Sequence, residues 1–528
     1  MRYDYVIVGA GSAGCVLANR LSADPGTSVC LIEAGPADRS PLIHAPLGIA
    51  AIVPTRHVNW AFDTVPQAGL NGRLGYQPRG RALGGSSSIN AMIYMRGHRG
   101  DYDDWAALGN RGWSYADVLP WFRKSERNER GADAYHGAEG ELNVADLRSP
   151  NPVSFAFVEA AKSRGQRANP DFNGAEQEGV GLYQVTQKEG RRCSAAVAFL
   201  HPVAARPNLR VLVECRALRL VLAGGRATGV EVALGRHRET IEAAREVILA
   251  AGTFGSPQLL LLSGIGPRAE IERHGIALRH ELSGVGEHLQ DHVDYVLAYK
   301  SSSSDLLGLS LRGAWKLGRA VFEYRARGTG LITSNAAEAG GFVKTRAGLE
   351  RPDVQLHFVV SALVDHARKL VPGHGMSCHA CVLRPKSTGR VALASADPFT
   401  PPRIDPNFLA AEEDLATLLA GFKLAREIMA ADALAPWRER EMHTEGVTSD
   451  DELARILRER ADTIYHPVGT CRMGNDEGAV VDGELRVRGV EGLRVADGSV
   501  MPALVGGNTN APIIMIAERA AQFILGAR

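Results

Sequence analysis

The spacing of apolar and polar positions changes several times along the chain, and the changes mark its elements. Tyr5–Val8 is a short apolar run that enters Gly9-Ala10-Gly11-Ser12-Ala13-Gly14, and helical spacing follows to about Leu21. A second apolar run, Val29–Ile32, ends at Glu33. This order predicts a strand–helix–strand unit, and Glu246–Gly252 and Gly492–Asp497 read as further strands of the same sheet. From about Asp294 to Arg460 the glycine loops fade. There Val354–Val360 and Ser377–Leu383 alternate or run apolar like antiparallel strands, while Leu415–Met429 and Asp450–Arg460 read as helices with charged outer faces. The expected class is α/β, or α+β over the whole chain. One domain takes residues 1–155, 201–293 and 461–528; a second, built on an antiparallel sheet flanked by helices, takes 156–200 and 294–460.

Two segments bear on membranes. Val247–Gly266 is strongly apolar, but Ser256, Pro257, Ser263 and glycines interrupt it, so it reads as a buried strand and helix. Asp305–Gly330 predicts a helix on which Leu311, Trp315 and Phe322 share a face, with Arg312, Lys316 and Arg319 nearby. The first reading is a helix packed on the second domain with a solvated basic side. The same pattern also suits the surface of an anionic membrane.

Composition narrows the function. Sixty Lys and Arg against 59 Asp and Glu leave a formal charge of +1, which argues against a nucleic-acid binder. Seven scattered cysteines suit a reducing compartment. Cys378 and Cys381 form a CxxC on a strand with no second pair, and are read as buried thiols rather than a zinc or redox site. The N-terminus opens directly on a strand, not a secretory leader. The expected location is the cytoplasm, with room for peripheral contact at the inner face of its membrane. Glycine stands out at 58 of 528 residues.

The glycine loop supplies the first chemistry. After a strand, the first glycine turns the chain, the second admits a pyrophosphate, and the third lets the helix pack on the strand. Gly9, Gly11 and Gly14 match this order, Ser12 and Ala13 lie between them, and Glu33 is placed to accept from an adenosine ribose. The unit therefore predicts a Rossmann-like dinucleotide site. The discontinuous sheet, with a second domain threaded through it, favours FAD over NAD.

Longer motifs carry a resemblance. Gly80-Arg81-Ala82-Leu83-Gly84-Gly85-Ser86-Ser87-Ser88-Ile89-Asn90 continues through Tyr94 and Gly97 to Asp103, and Gly252–Leu260 continues to Gly266. Both resemble signatures of the glucose–methanol–choline (GMC) oxidoreductase family. Gly284–His292, Tyr465–Thr470 and Gly507–Pro512 resemble further blocks of that family, so the likeness spans essentially the whole chain. Pro41–Ile49, Asn59–Phe62, Leu331–Asn335 and Asp365–Lys369 are most similar to its FAD-dependent, acceptor-linked alcohol dehydrogenases. The resemblance implies a Rossmann-like FAD domain interleaved with a substrate domain. It implies oxidation of primary alcohols, aliphatic or aromatic, to aldehydes, with hydride passing to flavin N5 and electrons to a quinone or other non-NAD acceptor. Choline dehydrogenase and an O2-using alcohol oxidase are the alternatives on the same fold. A lyase or a light-driven decarboxylase is a more distant one. The chain stops at Arg528, short of the tail expected from that branch, which leaves membrane contact open.

Residue roles follow from the same likeness. His466 is expected to be the base that takes the alcohol proton, as an imidazole of pKa about 6.5 suits that task. Asn508 is expected to hold the alcohol oxygen, and Asn510 to cap the terminal helix. Gly84, Gly85 and Ser86 would face the pyrophosphate, and Asn90, Ala91, Met92 and Ile93 the flavin edge. Trp60, Asp497 and Thr509 are further cofactor positions, as are Ala34, Arg81, Leu83, Ala217, Ala251, Gly252 and Gly498. Some family members tether FAD through a histidine; the aligned residue is Ile89, which implies non-covalent FAD. No metal site is expected: His288, Asp291 and His292 are read as a structural network. Arg191-Arg192 and Arg236-His237-Arg238 are read as solvated, and no GxSxG suggests a serine hydrolase.

Overall fold

A computed structural model describes residues 1–526. Its core is a sheet with strand order Leu209–Leu212, Val29–Ile32, Arg2–Val8, His237–Leu249, Arg226–Leu234 and Cys215–Ala223, with Leu493–Val495 also paired to His237–Leu249. Leu209–Leu212, Val29–Ile32, Arg2–Val8, the end of His237–Leu249 and Leu493–Val495 run parallel. Their registers set Leu212, Ile32, Val8, Leu249 and Val495 in one row. The loops that follow therefore open on the same edge, the place where parallel sheets bind ligands. Helix Ser12–Leu21 returns under this sheet and packs on the terminal helix Asn510–Gly526. Its Val16, Leu17 and Leu21 are fully buried, each contributing about 1.5–3 kcal/mol of transfer free energy.

The second sheet is antiparallel, in the order Arg440–Glu441, Val293–Ser301, Gly373–Val382, Val354–Val359, Ala337–Val343 and Gly179–Leu182. Helices Pro152–Ser163 and Glu412–Met429 cover its back. Two pieces of this sheet, Val293 and Asp462–Thr463, come from the stretches assigned by sequence to the first domain. Val354–Val359 and Gly373–Val382 pair in a register that sets His357 opposite His379. Cys378 and Cys381 are buried free thiols on the second of these strands.

Two sequence expectations need correction. Arg192 is not solvated: its guanidinium is buried and donates to the carbonyls of Ile43, Ser87 and Asn90. The basic helix, Leu311–Arg327, does not pack its apolar face on the second domain. Gly313, Lys316, Ala320 and Tyr324 face inward, while Leu311, Trp315 and Phe322 point to solvent. No helix of the described residues is long and apolar enough to cross a membrane.

Candidate active site

The loops at the aligned strand ends enclose one side of a cleft of about 1230 Å³, and the second sheet encloses the other. At the sheet edge, Gly9 adopts φ +104°, and a Cβ there would fall 2.4 Å from the Ala250 carbonyl oxygen. A Cβ on Gly14 would fall 1.8 Å from the Gly9 oxygen, so helix Ser12–Leu21 can rest on the strand only with glycine there. No side chain caps this helix, which leaves first-turn N–H groups and their partial positive charge directed at the cleft. Such an end suits a pyrophosphate.

Two buried carboxylates brace the same edge. Glu33 accepts from the Ala10 amide at 3.0 Å and the Gly35 amide at 2.7 Å, and burial pushes its pKa up to about 7. Each of its oxygens keeps a second lone pair for a ribose hydroxyl. Asp497 accepts from the Gly252 amide, the Ser256 hydroxyl and the Ser499 amide, tying the strand ends together. Trp60 stacks on Phe62 with ring centroids 5.6 Å apart, and the Arg216 guanidinium lies 5.1 Å from the Trp60 ring. The sequence reading missed Arg216, although it adjoins Ala217.

The cleft brings together most of the residues chosen from sequence. Gly9, Gly11, Ser12, Ala13, Glu33, Ala34, Trp60 and Ala217 line its nucleotide end. Gly85, Ser86, Asn90–Ile93, Ala251, Gly252, Asp497, Gly498, Asn508, Thr509 and His466 line the rest. Four others lie off it. Gly14 sits beneath the loop, and Leu83 is buried in the core. Gly84 turns the chain and donates its amide to Ala10, and exposed Arg81 lies against the Trp60 ring. Asn510 begins the terminal helix, and its side chain accepts from the Ser12 hydroxyl instead of capping the helix.

At the inner end of the cleft, a chain of hydrogen bonds fixes His466. Asp291 accepts from the His466 amide at 2.9 Å and is itself bound by Thr463 and Gln77. His292 Nε2 lies 3.0 Å from the Leu383 carbonyl, which can only accept, so that nitrogen carries the proton. Burial holds the His292 pKa down to about 4, so the ring is neutral and its Nδ1 is an acceptor. His466 Nδ1, 2.9 Å away, must then donate to it. Burial also holds His466 well below the usual histidine range, with His292, His357 and Arg79 adding to the effect. The neutral ring therefore presents a bare Nε2 lone pair, and this atom lies 3.1 Å from Asn508 Nδ2.

The amide orientation of Asn508 is fixed in the same manner. The Tyr183 hydroxyl donates to the Leu356 carbonyl at 2.6 Å, so it accepts from Gln355 Nε2. Gln355 Nε2 also donates to Asn508 Oδ1 at 3.1 Å, which turns Nδ2 toward His466. A lone-pair base and an N–H donor thus meet at one point and can share one oxygen atom. His357 and His379 line the wall nearby, and Asp294 lies 2.5 Å from His379 Nδ1.

Sequence reasoning missed His292, Gln355, Tyr183 and His357. One signal was present: Gln355 and His357 are polar residues two apart on an apolar strand, hence on one face. His292 was placed with His288 and Asp291 as a structural network. Asp291 does brace the backbone, but His292 touches the candidate base itself.

Comparison with known proteins places the chain in a family. The family model described as GMC oxidoreductase matches in an N-terminal part over residues 3–294 and a C-terminal part over residues 385–517. The alcohol dehydrogenase [acceptor] of Pseudomonas putida is 50% identical over 527 residues, covering 99% of this chain and 96% of its own. The mitochondrial choline dehydrogenase of Homo sapiens is 43% identical over 537 residues, covering 99% and 90%. Among solved structures, pyridoxine 4-oxidase from Mesorbium loti superimposes with a TM-score of 0.89 at 32% identity, covering 98% of both chains.

Proposed function

The chain belongs to the GMC oxidoreductase family, and from that premise we propose that it oxidises uncharged primary alcohols, aliphatic or aromatic, to aldehydes. Electrons would leave to a quinone or another non-nicotinamide acceptor. The observation that carries the reading is the His466–Asn508 pair, an unprotonated Nε2 and an amide N–H only 3.1 Å apart at the inner end of the cleft. FAD, the cofactor of this family, supplies the hydride-accepting ring when bound. The glycine-loop edge fits it, with an uncapped helix end, a ribose-facing carboxylate and glycines where a Cβ would clash. Ile89 offers no atom for a covalent tether, so the cofactor would be held non-covalently.

The protein's own groups prepare the alcohol. The hydroxyl would donate to His466 Nε2 while accepting from Asn508 Nδ2. Removing the proton raises electron density in the adjacent C–H bond and readies it to leave as hydride. Asn508 stabilises the negative charge that develops on oxygen, and its orientation costs nothing at that moment because Gln355 has set it.

The placement of carboxylates in the cleft supports uncharged substrates over choline, although Trp60, Phe62, Phe254, Trp315 and Tyr465 are aromatic residues of its lining. A quaternary ammonium wants an aromatic cage or a carboxylate. Among the described residues, the carboxylates lining the cleft are Glu33 and Asp497 at the nucleotide edge and exposed Asp305 and Glu323 near the opening. Anaerobic mixing with 1-alkanols, benzyl alcohol and choline tests the reading. The uncharged primary alcohols should bleach the flavin and choline should not; bleaching by choline alone would overturn it. Peroxide accumulating in air at the full rate of turnover, without added quinone, would replace the dehydrogenase by an oxidase.

A further inference from the structure

Arg96, Arg192 and Arg494 are the buried arginines among the described residues. Two of them have a carboxylate: Arg96 Nη2 lies 2.7 Å from Glu126, and Arg494 Nε lies 2.6 Å from Glu246. Arg192 has none. Its Nε donates to the Ile43 carbonyl at 2.8 Å, and its Nη1 to the carbonyls of Ser87 at 3.1 Å and Asn90 at 2.7 Å. Nη1 also donates to Asn90 Oδ1 at 2.8 Å, while Nη2 is buried without a partner. Every acceptor is neutral. Burial pushes the Arg192 pKa down to about 9 with no charged group acting on it, so the guanidinium is still cationic at neutral pH. A buried ion without a counter-charge is costly. This one stands directly behind Asn90, which lines the cleft.

The same contacts fix Asn90. Arg192 Nη1 and the Met92 amide both donate to one of its side-chain atoms, at 2.8 and 3.0 Å, and only Oδ1 can accept. Nδ2 is left as the donor that Asn90 offers to the cleft. A positive charge and an N–H donor therefore act together at the stretch Asn90–Ile93 of the cleft wall.

We propose that Arg192 supplies the counter-charge for the reduced cofactor, acting through Asn90 to favour reduction of FAD. In the alcohol, the O–H bond breaks with its proton going to His466, and the C–H bond breaks with its electron pair leaving as hydride. The C=O bond of the aldehyde forms in their place. Hydride carries one negative charge onto the bound ring, and the guanidinium that lacked a counter-charge then has one. Charge beside the ring is a lever by which proteins set flavin potentials. Arg192 does not line the cleft, so its role is positioning and electrostatic. That role rests on the bound cofactor and not on which alcohol is oxidised.

The midpoint potential of the FAD-loaded full chain tests it, measured against a reference dye with a chemical reductant in place of an alcohol. Arg192→Met removes the charge and keeps much of the length. Asn90→Asp keeps the shape but sets a carboxylate against the guanidinium. Each should weaken the preference for the reduced form about tenfold or more, a potential about 30 mV or more lower for a two-electron couple. Sulfite, whose addition also places negative charge on the ring, should bind each about tenfold or more weakly. Arg192→Lys keeps the charge and should stay closer to wild type than Arg192→Met. Wild-type potential and sulfite affinity in Arg192→Met would overturn the role. If that variant loses FAD, Asn90→Asp decides by the same two readouts, and wild-type values there would overturn it. Loss of FAD from both would assign Arg192 to holding the loop alone, which also overturns it. Failure of alcohols to reduce the flavin would remove the proposed function and leave these potentials unchanged.

Discussion

The two ends of the cleft are held by different parts of the polypeptide. At the glycine-loop end the contacts run through the main chain: the amides of Ala10, Gly35 and Gly252 anchor Glu33 and Asp497, and glycines set the approach of helix to strand. At the His466 end they run through side chains, from His292 to His466 to Asn508 to Gln355 to Tyr183. A main-chain site is damaged by added atoms, whereas a side-chain relay is damaged by lost or misdirected donors. The two ends should therefore fail in different ways.

The largest effect belongs to the glycine end. Gly14→Ala places a methyl 1.8 Å from a carbonyl oxygen, and neither atom can retreat without parting helix from strand. The variant should lose bound FAD altogether, read from its visible absorption relative to protein. Full FAD content in Gly14→Ala would break the contrast. Next comes Asn508→Ala, which should keep FAD and slow flavin reduction by about 10²–10³-fold, as loss of one oxyanion donor does. Comparable loss of FAD in that variant would show that the two ends are not separate.

A smaller effect sharpens the side-chain account. His292→Phe keeps an aromatic ring but removes the acceptor that fixes the His466 proton on Nδ1. Flavin reduction should slow about 10–100-fold, in the range seen when an orienting partner of a functional histidine is lost. Its dependence on pH should also change, while FAD content stays normal. A purely structural His292 would change stability without changing the pH profile. The smallest effect is in wild type. His466 is held neutral well below the usual histidine range, so lowering the pH through about 6.5 should leave the reduction rate nearly flat. A rate that halves near that value would mean the base titrates as a solvated imidazole does.

The same contrast explains what could be read from the sequence. Main-chain sites are written in contiguous residues, because the loop needs its glycines at fixed spacing; Gly9, Gly11 and Gly14 and the strand ending at Glu33 were therefore legible. Two paired strands were legible from their patterning as Val354–Val360 and Ser377–Leu383, though the second begins earlier, at Gly373, and their register was not legible. The facing of His357 and His379 follows from pairing set by the whole sheet. The relay joins positions as far apart as 183, 292, 355, 466 and 508, and no local period links them. His466 and Asn508 were identified only through family likeness. The Leu311–Arg327 helix was legible as amphipathic, but periodicity does not say which face meets the protein. Arg192 was misread because a run of two arginines looks solvated until the carbonyls around it are in place.

The central claim is that His466 takes the alcohol proton through Nε2. Anaerobic rapid mixing of FAD-loaded His466→Ala with a primary alcohol tests it most directly, with wild type run in parallel. The account predicts unchanged FAD content and flavin reduction slowed by about 10²–10⁴-fold, the usual worth of a positioned base. Reduction at the wild-type rate would contradict it.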